Sequence, residues 1–148
     1  MSFPEKMKRM PSLLALCIDG QENNTYRGKC WDLYHTNPMD FYDVPQLLLS
    51  MDNFFTQIGF PEATIRLRQF KRVPKEESSP IDSGKKELSV EELLKKRGKQ
   101  DTFFITVENR ASCNWQGEVY CVDTDEKKDF YSELELLKFI KGNISNEK

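Results

Sequence analysis

Four cysteines are the residues of this chain whose type and spacing could indicate a chemical role, either as two disulfides or as a metal site. No Cys-x-x-Cys pair occurs, and His35 is the only histidine that could complete a set of metal ligands. We therefore predict free thiols, buried or half-buried on strands, and expect no metal ion and no other cofactor. The four thiols belong to Cys17, Cys30, Cys113 and Cys121.

Acid–base catalysis would need a carboxylate or a histidine held in an apolar pocket. Asp40 and Asp129 recur in the same tripeptide, Asp-Phe-Tyr, and their position before a predicted helix favours a structural role in a turn or a cap. His35 lies in a predicted loop, which gives a Ser-His-Asp or Cys-His arrangement little support. Phosphate-binding, dinucleotide-binding and calcium-binding loops have no match in the sequence. We predict no catalytic residues and no enzymatic activity.

The charge balance does not favour polyanions as the default partners. Lys and Arg number 22 against 24 Asp and Glu, which gives a net charge of -2 with both signs mixed along the chain. No apolar run approaches the roughly 18 residues of a membrane span. Residues 1–10 lack the apolar core of a secretory signal. The sequence thus predicts a cytoplasmic protein that does not bind membranes.

Residues 13–55 and 102–144 read as two copies of one unit, 89 residues apart without a gap. Both contain a glycine (Gly28 and Gly117), the run Asp-Phe-Tyr and a Leu-Leu pair. The physical roles of matching residues coincide as well, which predicts a duplicated fold with an internal pseudo-two-fold axis. One unit of roughly 43 residues is near the lower limit for a self-sufficient core, so the two should pack together or extend one sheet.

Each copy begins with alternating apolar residues, the pattern of a strand. A polar stretch follows at 19–24 and at 108–114, and aromatic and β-branched residues resume after it, which predicts a hairpin with a long loop. Gly28 and Gly117 fall inside the second strand, where a glycine is typical of a β-bulge. The alternating residues are Leu14, Leu16 and Ile18 in the first copy, and Phe103, Ile105 and Val107 in the second.

A helix closes each copy. Asp43 and Ser132 are the predicted N-caps, because Gln46 and Glu135 three residues later complete a capping box. The tyrosine that precedes each cap is predicted to pack on the first turn as a hydrophobic staple. Four apolar positions at matching spacing then give each helix one apolar face.

These elements predict an α+β fold of two tandem β-β-(β)-α repeats, with an antiparallel sheet and helices on one of its faces. Residues 1–72 would form the first repeat with an extra strand, and 73–100 a polar linker with a short helix that begins at Ser89. Residues 101–148 would form the second repeat. We expect the least order in residues 74–87.

Strand residues on the face without helices must meet solvent, a partner or a second copy of the chain. Trp31 and Tyr120 alternate with Cys30 and Val119 and therefore point to the other face. Because aromatic residues are favoured anchors of interfaces, we predict a non-enzymatic interaction or regulatory module that binds a protein or itself. Cover by the other half of the chain is the alternative for these rings. The candidate surface comprises Trp31, Tyr34, Tyr120, Arg66 and Arg68.

RNA binding is the alternative function. With a helix at Ser89 the second half would read α-β-β-β-α, the element order of double-stranded RNA-binding domains, and residues 66–72 are basic. The last helix, however, would begin Ser-Glu-Leu-Glu at 132–135, with acids where a phosphate-contacting helix needs Lys or Arg. Nucleic acid is therefore the less favoured partner.

The second copy contains a strand at 102–107, a Trp-Gln-Gly turn at 115–117 and, from Phe130, the pattern Phe-x-Ser-x-x-Glu-Leu. In these features it resembles short hypothetical proteins of clostridial bacteria, within the Firmicutes. The resemblance covers residues 102–144, departs at Tyr131 and does not extend to the divergent first copy. It implies a small intracellular bacterial module used singly or, as here, in tandem, and it implies no specific activity.

Overall fold

The structure is a computed structural model that describes residues 4–22, 25–60, 63–64, 86–111 and 114–144. In these residues the chain is α+β, as predicted, with four helices and seven strands. The strands are β1 Leu14–Glu22, β2 Thr25–Trp31, β3 Met39–Phe41, β4 Ala63–Thr64, β5 Asp101–Ala111, β6 Gln116–Cys121 and β7 Glu126–Phe130. The helices are α1 Glu5–Lys8, α2 Val44–Ile58, α3 Val90–Leu94 and α4 Glu133–Asn143.

Six of the strands form one antiparallel sheet in the order β3-β2-β1-β5-β6-β7. Its central strands are β1 and β5, which pair with Ala15 opposite Phe104. Residues 14–18 and 103–107 are buried throughout, so both faces of these strands are covered, and such strands carry continuous apolar runs. β4 adds a short parallel pairing at the end of β5. The predicted extra strand spans residues 62–70, and all of it except 63 and 64 lies outside the described residues.

The long helices α2 and α4 cover one face of the sheet, which we call the helix face. Residues opposite one another in an antiparallel sheet point to the same side, so one row of this face consists of Cys30, Leu16, Phe103 and Cys121. α4 contacts this row through Phe139, whose ring centre lies 6.3 Å from that of Phe103. α2 adds to the same core the buried side chains Leu47, Met51, Phe54, Phe55 and Ile58.

The short helices α1 and α3 lie on the opposite face. Just after α3, Lys96 places its Nζ 3.9 Å from the centre of the Trp31 ring. In α1, Lys6 approaches Glu118 of the same face at 3.8 Å. The prediction of helices on one face therefore fits α2 and α4 only, because a sheet whose central strands are apolar on both sides needs cover on both. The central row of this face consists of Trp31, Ala15, Phe104 and Tyr120.

Most of the residues that were predicted to form the hairpin loops belong to strands. β1 continues to Glu22 and β5 to Ala111, through most of the polar stretches at 19–24 and 108–114. Alternation of apolar residues indicates which side chains are buried, and it does not indicate the backbone conformation. Polar residues near the end of a sheet can pair with a neighbouring strand without being buried. The prediction of a long loop is wrong for this reason.

Gly28 and Gly117 each lie opposite a β-bulge in the neighbouring strand. Register shifts mark the bulges, after Ile18 in β1 and after Val107 in β5. A Cβ at these glycines would lie 2.0 Å and 1.9 Å from a carbonyl oxygen of that strand. The predicted bulge is confirmed, and glycine is required because the neighbouring backbone comes so close.

The long helices begin at the predicted caps. The amide of Gln46 donates to Asp43 Oδ1 at 2.8 Å, and the amide of Glu135 donates to Ser132 Oγ at 3.2 Å. The side-chain oxygens of Gln46 and Glu135 also accept hydrogen bonds, from the backbone amides of Tyr42 and Tyr131, which precede the caps. Both of these tyrosine rings are more than half exposed, so the predicted hydrophobic staples do not form.

Candidate functional site

The predicted aromatic surface is largely enclosed within the chain. Tyr34 is 5% exposed and Tyr120 2%, so neither ring is presented at the surface of the folded chain. Trp31 is half-buried beneath Lys96. Part of its cover thus comes from a residue after α3, within the predicted linker. Two further residues of the predicted surface lie outside the described part of the chain: Arg66 and Arg68.

His35 pairs with a carboxylate that sequence analysis does not single out. Asp32 is fully buried, and its Oδ2 lies 2.9 Å from Nδ1 of His35. The other oxygen, Oδ1, accepts the amides of Tyr34 and His35 at 2.7 and 2.9 Å. An aspartate that accepts backbone amides a few residues ahead closes a turn, so this pair stabilises the loop after β2.

Three of the four thiols are free and buried, which confirms the prediction for Cys17, Cys30 and Cys121. Burial raises the pKa of the Cys17 thiol to about 12 and that of Cys30 well above its ordinary value. A thiol that keeps its proton is a poor nucleophile and a poor metal ligand. Cys113 lies outside the described residues, and within them no group of three His, Cys, Asp or Glu side chains suits a metal ion.

Asp40 and Asp129 pair with lysines instead of closing a turn. Lys29 Nζ lies 3.0 Å from Asp40 Oδ1, across β2 and β3. Lys127 Nζ lies 3.6 Å from Asp129 Oδ1, within β7. The predicted role in a turn or cap is therefore wrong: both acids belong to strands at the two edges of the sheet, where they balance charge.

The candidate site is a pocket beside the bulge of β5, which we call the Glu118 pocket. It has a volume of about 320 Å³. Glu118 lines it from β6, on the face opposite the long helices, and is only 8% exposed. The residues that set its chemistry are Lys6, Glu108, Glu118, Asp129 and Tyr131.

Three carboxylates of the lining pair with two lysines, Lys6 of the lining and Lys127 of β7. Lys6 Nζ lies 3.1 Å from Glu108 Oε2 and 3.8 Å from Glu118 Oε2. Lys127 Nζ lies 3.5 Å from Glu118 Oε2 and 3.6 Å from Asp129 Oδ1. The hydrogen bond to Glu108 and its charge raise the pKa of Lys6. With all five groups ionised, the cluster has one negative charge in excess.

One oxygen of Glu118 lacks a partner. Its Oε1 is buried and accepts no hydrogen bond, and the buried hydroxyl of Thr106, directly opposite on β5, is also without a partner. A buried polar atom left unpaired costs about 1–3 kcal/mol relative to a paired one.

A second pocket lies beside the bulge of β1, and we call it the Lys29 pocket. Its volume is about 170 Å³. Its lining residues stand 89 positions before residues of the Glu118 pocket, so Lys29 takes the place of Glu118, and Tyr42 that of Tyr131. Lys29 donates to Asp40 at 3.0 Å, and the charges of the lining residues balance.

Tyr42 and Tyr131 are the two exposed Tyr, Trp or Phe side chains among the residues that the structure describes. Each lines one of the two pockets and directly precedes the N-cap of a long helix. The cap hydrogen bonds hold the backbone at both tyrosines, because the Gln46 and Glu135 side chains accept their amides. The chain therefore has two similar exposed aromatic surfaces, one at Tyr42 and one at Tyr131.

Comparison with known proteins adds no family to this geometry. The chain matches no protein-family model, no curated protein and no solved structure. Among the helices of the described ranges, none has the length and apolar character to cross a membrane. The functional interpretation therefore depends on the two pockets and their tyrosines.

Sequence analysis misses Glu118, although a signal exists. Glu118 is the one charged residue of β6, in the segment Gln-Gly-Glu-Val-Tyr-Cys, and alternation places it on the same face as Tyr120. An acid in a strand that is otherwise buried needs a partner or a ligand. The exposed tyrosines are missed because a capping box with an apolar residue before it is typical of a staple.

Proposed function

We propose that the chain is an intracellular, non-enzymatic interaction or regulatory module that contacts a partner protein through Tyr42 and Tyr131. The observation that carries this proposal is the exposure of the two rings, 65% and 62%, while the other described Tyr, Trp and Phe rings are buried or half-buried. Tyrosine is enriched among the residues that contribute most to interfaces, since its ring offers a large contact area at a low entropic cost. The buried free thiols support a reducing compartment.

An exposed leucine supports the same surface. Leu134 is 61% exposed in the first turn of α4, three residues after Tyr131. Tyr131 directly precedes the N-cap Ser132 and Leu134 follows it in the first turn, so both exposed side chains lie at the start of α4. Such side chains in a polar rim are typical of a protein contact.

We further propose that the two halves are repeats related by a pseudo-two-fold axis. Strand pairing supports it: residue pairs of the first hairpin recur in the second 89 residues later, bulge included. Ala15 also faces Phe104, its own counterpart, at the centre of the sheet. A common origin with short clostridial proteins is proposed for the second unit alone, supported by its Trp-Gln-Gly segment. The test of the repeat is an experimental structure in which residues 13–55 are superposed on 102–144; strands and helix that fail to overlay would contradict it.

Photo-cross-linking tests the interaction function. A benzoylphenylalanine at position 42 or 131, in the cells of origin, is expected to give a discrete adduct with a partner protein. Gln57, an exposed position on α2, serves as the control and is expected to give none. Folded variants that yield no adduct at 42 and 131, or the same adducts at 57, would overturn the proposal.

RNA binding is the second candidate, and one observation favours it. The helix predicted at Ser89 is present with its complete capping box, so the second half has the order α3-β5-β6-β7-α4. Contacts to phosphates release counterions, and affinity for RNA would therefore fall steeply with added salt. We expect no binding of double-stranded RNA even at low salt, because Glu133 and Glu135 open α4. A salt-sensitive complex would make RNA the better proposal.

A further inference from the structure

The outer edge of β2 is only partly covered by β3. β2 spans Thr25–Trp31, and β3 pairs with residues 28–30 of it. The chain leaves the sheet after Phe41, where the amide of Tyr42 donates to the Gln46 side chain at 2.8 Å and α2 begins soon after. Residues 25–27 therefore pair with β1 on one side and extend past the end of β3 on the other.

Backbone groups of this part of β2 point to the outer edge. Amides and carbonyls of successive strand residues point alternately to the two sides of the strand, so at least one of Thr25, Tyr26 and Arg27 directs its groups away from β1. The second hairpin identifies this residue. Trp115, 89 positions after Tyr26, donates its amide to Glu133, which follows β7, at 3.4 Å. The two hairpins have matching strand pairs, so the Tyr26 amide also points to the outer edge.

The two halves differ in the side chain beside this amide. Glu133, the first residue of α4, accepts the Trp115 amide and thereby caps the edge of β6. The first residue of α2 is Val44, whose apolar side chain offers no acceptor. An uncapped strand edge is complementary to another extended backbone, and folded proteins commonly protect such edges with charges or cover. β7 shows this protection, since four of its five residues, Glu-Lys-Lys-Asp-Phe, are charged.

A pocket of about 210 Å³ lies at the uncapped edge, and we call it the β2-edge pocket. It is lined by Thr25, Tyr26 and Arg27 of β2 and by Tyr42. Successive strand residues point to opposite faces of a sheet, so a pocket that all three of these residues line lies beside the strand. Its volume fits one side chain, and the exposed Tyr42 adjoins it.

We propose that an extended segment of the partner protein pairs with residues 25–27 of β2 and inserts one apolar side chain into the β2-edge pocket. This rests on the interaction function proposed above and specifies how the partner meets Tyr42. Backbone pairing provides the affinity when a strand is added to a sheet, and the pocket provides the selectivity for a side chain. An apolar side chain is favoured because two tyrosines line the pocket.

The test uses the full chain and three acetylated pentapeptide amides, Thr-Thr-x-Thr-Thr, with Leu, Phe or Asn at the centre. Asn is the polar control, close to Leu in shape. Backbone amide signals are followed by NMR as each peptide is added. We expect saturable shifts at residues 25–27 and 42 with the Leu or the Phe peptide, and none at 114–116. The Asn peptide should bind at least about fivefold more weakly than the better of these two.

Backbone pairing is tested on the parent chain with N-methylated forms of the better peptide. Methylation of alternate residues removes the amides of one peptide edge and keeps every side chain. Of the two alternate patterns, one should abolish the shifts, because it blocks the amides that face β2. The Tyr26 amide should also exchange with solvent more slowly when the unmethylated peptide is bound, since it then has a carbonyl acceptor.

Variants at Val44 test the difference between the two edges. Val44→Glu gives Tyr26 the acceptor that Trp115 has in Glu133, and is expected to weaken peptide binding at least about fivefold. Val44→Leu keeps the position apolar and is the matched control, which should leave binding unchanged. Unfolding midpoints establish that both variants are folded.

The absence of saturable shifts with both apolar peptides, or binding that neither methylation pattern weakens, would refute strand addition. If shifts at 25–27 grow with protein concentration in the absence of peptide, the occupant is a second copy of the chain and the partner segment is refuted. The proposed function fails by a different result. Adducts at position 42 that persist at full yield in Val44→Glu would support a partner but refute its pairing with β2. Peptide binding as expected, with no adduct at 42 or 131, would support the edge site and refute the protein-interaction proposal.

Discussion

At Gly28 and Gly117 the lack of a side chain decides how closely two strands can approach. An added Cβ would lie 2.0 Å from the Cys17 carbonyl oxygen at the first position and 1.9 Å from that of Thr106 at the second. Side-chain rotation cannot relieve either contact, because a Cβ is fixed by the backbone and the oxygens are backbone atoms. The bulged strand itself would have to move.

Alanine at either glycine is therefore expected to destabilise the fold. Gly28→Ala and Gly117→Ala should each lower the free energy of unfolding by on the order of 1–3 kcal/mol, the usual cost of overpacking. Gly142→Ala is the control, since nothing lies within 4 Å of its Cβ position. It should leave stability unchanged or raise it by up to about 1 kcal/mol in a helix. Urea unfolding measures all three, and equal stability among them would refute the close approach.

The buried thiol of Cys17 gives the stability a dependence on alkaline pH. Its pKa is about 12 in the folded chain against 9.0 in an ordinary thiol. The unfolded chain therefore loses this proton first, and stability falls as pH rises from 9.0 towards 12. One group contributes at most about 1.4 kcal/mol per pH unit. Cys17→Ser cannot titrate there, so its unfolding free energy should decline less steeply than that of the parent; parallel curves would contradict this.

At the scale of residues, the sequence predicts a structural feature where the interactions that produce the feature are local. The repeated glycine indicates a bulge, and cysteines without ligand spacing indicate free thiols. Glu118 is different, because one of its partners is Lys6 of the four-residue helix α1, at 3.8 Å. No local pattern in the sequence reports a contact between residues so far apart along the chain.

At the scale of elements, helix starts and strand ends differ in how far sequence can predict them. The caps of α2 and α4 consist of hydrogen bonds between residues three apart, so the sequence contains the whole interaction. The ends of β1 and β5 depend on pairing with other strands, and the polar residues there resemble a loop. The sequence pattern contains no information about this long-range pairing.

Removal of a cap should destabilise each long helix by a similar amount. Asp43→Ala and Ser132→Ala are each expected to lower the free energy of unfolding by roughly 0.5 to 2 kcal/mol, because the amide of the third helical residue loses its acceptor. Gln57→Ala, at an exposed position on α2, should change it little. The measurement is urea unfolding of the three variants beside the parent. Unchanged midpoints for both cap variants would show that the caps contribute nothing to the fold.

At the scale of the whole molecule, the shared sheet leads us to expect that the two halves depend on each other. β1 and β5 are its central strands, and they pair with each other. If the two halves were separated, one edge of β1 and one edge of β5 would be exposed. Apolar residues on both faces of each strand would be exposed with them. Neither half has enough core to compensate, since a unit of about 40 residues is near the lower limit for folding alone.

A chain cut within the predicted linker tests this dependence. Fragments 1–75 and 76–148 are each expected to be unfolded alone, and to associate one to one with recovery of the sheet signal in circular dichroism when they are mixed. A cut after Gly20, inside β1, is the control and should not be rescued by mixing. A fragment that folds by itself as a monomer would contradict the expected dependence and would favour two independent domains.

The pairing of Ala15 with Phe104 has a consequence for how such a chain can evolve. In two separate copies of the proposed repeat, a residue on the symmetry axis would face an identical residue. Two alanines there would leave a void, and two phenylalanines would compete for the same volume. Joining the copies in one chain removes this identity. A small residue can then match a large one, and each half can vary its sequence next to the axis without an enforced change in the other.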